Sequence, residues 1–181
     1  MDNETISRER LAWLAGVIDS EGSLEVGWTN QYNKKKETIN SKMMYCRIKV
    51  GNTDPRMIAE ISSVFKLISV GFSFRTTKRI DREHWMLEIK TQGKGNCRKV
   101  LVSIYPYLKN KIDQAAKFLE IIQYRESVGY GGFRAVYSED YKPLESNEIL
   151  QRLIQELKDI KHNPPDPQRL TRVANRILVV D

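Results

Sequence analysis

The chain reads as an α+β protein with the element order αββαββα and extra helices at its C-terminus. Three observations predict this class. Two pairs of extended runs, each pair joined by a charged turn, alternate with amphipathic helical stretches. The first helical stretch is apolar on every side. The 181 residues are enough for one domain, or one domain with an extension, to bury a core without disulfides or structural metal.

Residues 11–18 read Leu-Ala-Trp-Leu-Ala-Gly-Val-Ile, with Ser7 placed as an N-cap and Gly22 near the end. A helix that is apolar all round must be covered on two sides. Its own core covers one, and the small residues Ala12, Ala15 and Gly16 admit a second helix on the other. Residues 23–32 and 43–52 form the first pair of strands, about a polar, basic tip at 33–42. Thr53-Asp54-Pro55 then supplies an N-cap and a proline at the first helical position. Ile58, Ile61, Phe65 and Ile68 follow at helical spacing, and Gly71 lies past the end.

Residues 72–77 and 84–91 form a second hairpin around Lys78-Arg79-Ile80-Asp81-Arg82. Gly93-Lys94-Gly95-Asn96 opens a helix with Cys97, Val100, Leu101 and Ile104 on one face, and Pro106 ends it. Ile112, Ala115, Leu119 and Ile122 mark another helix. Residues 127–143 are rich in Gly and Tyr and read as a loop, where packing is the expected role of Tyr130, Tyr137 and Tyr141. Ile149, Leu150, Leu153, Leu157 and Ile160 make an amphipathic helix, broken at Asn163-Pro164-Pro165. A last helix from Asp166 carries Leu170, Val173, Ala174 and Ile177. The domain reading is a core over residues 1–128, with 129–181 a loop and helical extension packed on the same domain.

Composition narrows the function. Cys46 and Cys97 are the only cysteines, so a four-cysteine zinc site is excluded and a disulfide framework is not expected. His84 and His162 are the only histidines, which excludes chemistry built on a histidine cluster. Residues 1–10 show neither a secretory nor a transit pattern, and no window approaches a membrane span. The chain therefore reads as soluble and intracellular. Thirty Lys and Arg against 23 Asp and Glu leave a net charge of +7, which favours an anionic partner, nucleic acid foremost.

The string Leu14-Ala15-Gly16-Val17-Ile18-Asp19-Ser20-Glu21-Gly22 resembles the signature of the LAGLIDADG homing endonucleases. The order of elements from Ser7 to Glu126 is similar to that family's as well. The resemblance implies a saddle-shaped four-stranded antiparallel sheet and a hydrolase activity. That activity is site-specific cleavage of double-stranded DNA across the minor groove, leaving short 3′ overhangs, in the service of intron homing. It implies Mg2+ as cofactor, with Mn2+ able to substitute and Ca2+ supporting binding without cleavage. Single-motif chains in that family pair as homodimers on a long pseudo-palindromic site. No second copy of the motif is found here, so Leu11, Ala12, Leu14, Ala15, Gly16 and Ile18 are expected at a dimer interface. Cover of the same helix by the chain's own C-terminal helices is the alternative.

In the family the second acid of the motif binds the metal, here Glu21, together with the backbone carbonyl of the preceding residue, here Ser20. Many members have Asp where this chain has Glu21, and the extra methylene shifts the carboxylate's reach. The physical sense is clear: a rigidly packed helix delivers oxygen ligands where packing stops, which suits Mg2+ and phosphodiester hydrolysis. The plain alternative is a core helix with a solvated acidic end, at some cost against the helix dipole. Asp19 is expected to orient the helix end by hydrogen bonding and is the secondary catalytic candidate.

Three further catalytic candidates follow from the resemblance. Asn52 ends the second strand, where polar residues order water around the scissile phosphate. Arg56 lies in the first turn of the next helix. Lys111 closes the stretch Pro106-Tyr107-Leu108-Lys109-Asn110-Lys111, similar to the family's Pro-x-Leu-x-x-Lys. A lysine there stabilises developing phosphoryl charge. Their plain readings are a turn cap, a surface arginine and a helix-start lysine.

One sheet face is expected to lie in the DNA major groove. Glu25, Thr29 and Gln31 alternate with Leu24, Val26 and Trp28, and Arg47 and Lys49 with Ile48 and Val50. Lys34, Lys35 and Lys36 at the tip suit phosphate contacts. Arg75, Lys78 and Arg79 extend the basic surface, with the faces of the second hairpin left open. An RNA maturase or a non-cleaving DNA-binding regulator on the same fold is the alternative function. A nuclease of the PD-(D/E)xK type, from Asp81 and Glu88-Ile89-Lys90, does not fit the element order.

Overall fold

The computed structural model describes residues 6–33, 38–78, 85–128 and 147–162, with the backbone alone at 31–33, 38–42 and 162. Lys34, Lys35, Lys36, Arg79, Asp81, the three loop tyrosines, the side chain of Gln31 and the expected last helix lie outside the described residues. The elements are α1 Arg8–Glu21, β1 Gly22–Asn33, β2 Thr38–Asn52, α2 Pro55–Leu67, β3 Ser73–Lys78 and β4 Trp85–Gln92. They continue with α3 Lys94–Ile104, a 3₁₀ turn Tyr105–Tyr107, α4 Ile112–Ser127 and α5 Glu148–His162. The fold is α+β, with one antiparallel sheet of strand order β1-β2-β4-β3. No helix among the described residues is long and apolar enough to cross a membrane.

β2 begins at Thr38, several residues before the apolar alternation that marks it in the sequence. Main-chain hydrogen bonds extend an antiparallel ribbon through polar residues as well as apolar ones. The alternation therefore marks where the core begins, not where the strand begins.

The chain divides into two compact units, residues 1–25 with 46–115 and residues 26–45 with 116–181. In the first, α1, α2 and α3 pack on one another and on the sheet. Ile61, Val64 and Phe65 of α2 and Val100, Leu101 and Ile104 of α3 are buried with Leu24, Ile48, Val50 and Ile89 of the strands. Arg10 ties α1 to α2 through Glu60 and Ser63, each at 2.8 Å. In the second, Phe118, Ile121 and Ile122 of α4 and Leu150, Leu153, Ile154 and Leu157 of α5 are buried. Lys117 bridges Glu120 at 2.6 Å and Glu156 at 2.8 Å.

Helix ends follow local chemistry. The Ser7 hydroxyl accepts the Arg10 N–H, and the Asp54 carboxylate accepts the Arg56 N–H ahead of Pro55. α2 closes with Ser69 in the left-handed region at φ 54°, with Ser69 N–H to Lys66 O at 3.0 Å and Val70 N–H to Phe65 O at 2.8 Å. This is a Schellman closure with serine in the place glycine usually takes. Gly71 lies past the end of the helix, as the sequence predicts. Gly93 has φ 89° and starts α3, a conformation that needs glycine.

Candidate active site and sheet face

α1 presents two different sides. Leu14, Ala15 and Ile18 have no accessible surface, and Val17 is also buried. Ala12, Trp13, Gly16 and Ser20 are exposed, and Leu11 is half-buried. Of the residues expected at a dimer interface, Ala12 and Gly16 are thus exposed and Leu11 half-buried, while Leu14, Ala15 and Ile18 are buried within the protomer. A Cβ built on Gly16 would meet nothing within 4 Å. Nothing in the described protomer requires glycine there.

The end of the helix is defined by Gly22 and Asp19. A Cβ on Gly22 would lie 2.6 Å from Ile18 O and 2.8 Å from Ile18 Cα, so only glycine lets β1 leave α1 at this angle. The Asp19 carboxylate accepts three main-chain N–H groups: Lys109 at 2.6 Å, Asn110 at 3.2 Å and Lys111 at 2.9 Å. It binds the segment that leads into α4. The Lys111 ammonium returns a hydrogen bond to the Asp19 carbonyl oxygen. Burial pulls the Lys111 ammonium below the usual lysine value, and the charges of Asp19 and Glu21 oppose that pull.

Glu21 is exposed at the last position of α1, with no hydrogen bond or ion pair among the described residues. The Ser20 hydroxyl is turned back onto the carbonyls of Gly16 at 3.0 Å and Val17 at 3.2 Å. The backbone carbonyl of Ser20 lies in the last helical turn, where carbonyls lack intrahelical partners. Glu21 and this carbonyl offer hard oxygen donors at the negative end of a helix dipole, which fits a divalent cation. Among the described residues no three His, Cys, Asp or Glu side chains cluster as a ready metal cage. Two protein oxygen donors leave room for water and substrate oxygens, the kind of shell Mg2+ takes.

Asn52 ends β2 at the same end of the sheet from which β1 leaves α1. Its Oδ1 accepts the Asp54 N–H at 2.8 Å. Arg56 grips Asp54 through Nε and Nη2, at 3.1 and 3.0 Å, with a side chain 90% exposed. The geometry brings Lys111 to the end of α1 and engages Arg56 with its neighbour instead.

Strand register assigns the second hairpin. On the side of the sheet away from the helices, Arg47 lies opposite Gln92, Lys49 opposite Lys90 and Gly51 opposite Glu88. Lys90 is in turn opposite Ser73, and Glu88 opposite Arg75. Phe74, Thr76 and Lys78 have the other parity, so Lys78 does not share the face of Arg75. Its ammonium stands 5.8 Å from the Trp85 ring. Glu25 reaches Arg47 Nε at 2.5 Å and Lys49 Nζ at 2.6 Å, and accepts the Ser23 hydroxyl at 3.1 Å. Burial raises the Glu25 pKa, but the bonds and charges of Lys49 and Arg47 outweigh it and hold the carboxyl below the usual range. Thr29 is exposed on β1. Sequence reasoning missed Lys90 and Gln92 as members of this face, because only cross-strand register places them there.

No protein-family profile and no curated protein matches the sequence. Solved structures are similar in fold. The archaeal intron-encoded homing endonuclease I-Vdi141I, solved with DNA, gives a TM-score of 0.55 at 11% identity, over 93% of this chain and 96% of that one. The group I intron-encoded homing endonuclease I-CeuI, also with DNA, gives 0.56 at 15% identity, over 91% and 73%. The LAGLIDADG homing endonuclease I-LtrWI, bound to target DNA, gives 0.50 at 18% identity, over 86% of this chain but 45% of that one. At these identities the likeness establishes the fold.

Proposed function

From a chain with the fold of the LAGLIDADG homing endonucleases, we propose a site-specific double-strand DNA endonuclease, metal-dependent and homodimeric. The observation that carries this reading is the division of labour at the end of α1. Asp19 is spent on three main-chain N–H groups, whereas Glu21 is exposed and unpartnered among the described residues. Lys111 is drawn to the same helix end.

Glu21, with the Ser20 carbonyl, would hold Mg2+. When bound, the ion supplies positive charge to the scissile phosphate and a more acidic bound water. The Lys111 ammonium stands ready to meet negative charge developing on phosphate oxygens. The sheet face with Arg47, Lys49, Arg75 and Lys90 carries the DNA. The side of α1 that the described residues leave exposed, with the small residues Ala12 and Gly16, supports close packing of a second copy, which would bring one Glu21 to each strand of a roughly palindromic site.

The test is Glu21→Gln, assayed on duplexes selected by the parent protein from a randomised pool with Mg2+. Cleavage should fall by orders of magnitude while duplex binding persists, because the charge that holds the ion is gone. Glu88→Gln, on the sheet face, should still cut. A parent protein that binds DNA but never cuts any selected duplex would favour the maturase or regulator reading.

A further inference from the structure

The outer sheet face holds its cations in two conditions. Arg47 and Lys49 are clamped by one carboxylate, Glu25, at 2.5 and 2.6 Å. The side chains of Arg75 and Lys90 have no ion pair or hydrogen bond among the described residues. Lys90 stands directly opposite Lys49 in the register, a like-charge pair that costs a sheet stability unless something answers it. Glu25 answers it on one side by neutralising Lys49.

Glu25 itself is poorly placed to read a base. A carboxylate can accept from the cytosine amine in the major groove. Here both oxygens are already engaged, by Ser23, Arg47 and Lys49, and the side chain is only 20% exposed. Its effect must pass through the two cations. Three charges of which one is negative leave a net single positive charge where two would stand without it. Fixed poses also lower the rotamer entropy that two long side chains lose on docking.

We propose that Glu25 is a positioning residue that sets base discrimination, by holding Arg47 and Lys49 in fixed poses and cancelling one of their charges. The centre of the sheet then favours a matching duplex over indiscriminate attraction to phosphate. This rests on the reading of the face as a double-stranded DNA surface. Each additional cation that meets phosphate steepens the salt dependence of binding by close to one unit and strengthens all sequences alike. Removing the Glu25 charge therefore raises non-specific binding and removes the ion pairs that hold Arg47 and Lys49 in place.

The test compares Glu25→Gln, Glu25→Asp and Glu25→Gln with Lys49→Gln against the parent protein. Binding to a selected duplex and to an unrelated duplex of equal length is measured by fluorescence anisotropy across a salt series, in Ca2+. Glu25→Gln should bind the unrelated duplex more tightly, steepen its salt slope by about one, and lower the selected-to-unrelated ratio roughly tenfold. Glu25→Asp keeps the charge and should keep the parental slope. The double variant restores the net charge without the clamp, so its slope should return to the parental value while the ratio stays low. Thermal melts accompany each variant, and if Glu25→Gln does not fold, the double variant carries the test. A selective parent with unchanged slope and ratio in Glu25→Gln overturns the role of Glu25 alone. A parent that shows no preference for any duplex overturns the DNA reading and this assignment together.

Discussion

Asp19 and Lys111 are joined in both directions. An oxygen of the Asp19 carboxylate accepts the Lys111 main-chain N–H at 2.9 Å, and the Lys111 ammonium donates to the Asp19 carbonyl oxygen. The first acid of the helix end is therefore a brace for the segment before α4, and the lysine is fixed to the last turn of α1.

Asp19→Asn should destabilise the protein by about 2 kcal/mol, since an amide offers one acceptor oxygen to a nest of three donors and adds N–H groups against them. Urea titration would measure this. Cleavage should fall alongside stability, because the main chain that carries Lys111 is held less firmly. Full stability with cleavage abolished would instead give Asp19 a direct role in the chemistry.

Under the proposed homodimer, Gly16 should separate folding from assembly. Gly16→Ala meets open space in the protomer, and alanine favours a helix by about 1 kcal/mol over glycine, so monomer stability should hold or rise. Gly16→Leu should leave the protomer folded but push two packed α1 helices apart. Sedimentation equilibrium with circular dichroism separates the two effects. A Gly16→Leu protein that still dimerises as tightly as the parent places the interface elsewhere.

Ser69 occupies a left-handed position that glycine adopts without steric cost. Ser69→Gly should raise stability by about 1 kcal/mol, seen as a higher urea midpoint with unchanged slope. The Lys99 ammonium bond goes to the Ser69 carbonyl, so the substitution leaves it in place. A drop in stability would mean that the serine side chain contributes more than its backbone strain costs.

Glu25 should make stability depend on acid pH. Its folded pKa lies below the ordinary 4.5, so the ionised form is the one folding favours. That contribution is present above the unfolded value and is lost as pH falls through the folded one. The stability gap between parent and Glu25→Gln should be constant near neutrality and close as pH drops below 4.5. Chemical denaturation at stepped pH would reveal this; a gap that widens in acid reverses the sign.

Much of the fold was legible because its signals are local. Asp54 and Pro55 start α2, Gly93 starts α3, and Cys97, Val100, Leu101 and Ile104 form the buried face of α3 as their spacing predicts. The order of helices and strands follows from such patterns, and the nine-residue string ending at Gly22 marks the end of α1.

Among the described residues, the sequence by itself determined the order of the elements and the placing of Asp19 and Glu21 where a buried helix stops. Tertiary structure alone decided which side of α1 is exposed among the described residues, since a helix that is apolar all round has no polar stripe to set its phase. It also decided that Asp19 is claimed by residues 109–111, a contact between segments far apart in the chain. The sheet face was decided by register as well: a one-residue slip would exchange Arg75 for Phe74, and only pairing with β4 sets Arg75 beside Glu88 and Lys90 against Lys49.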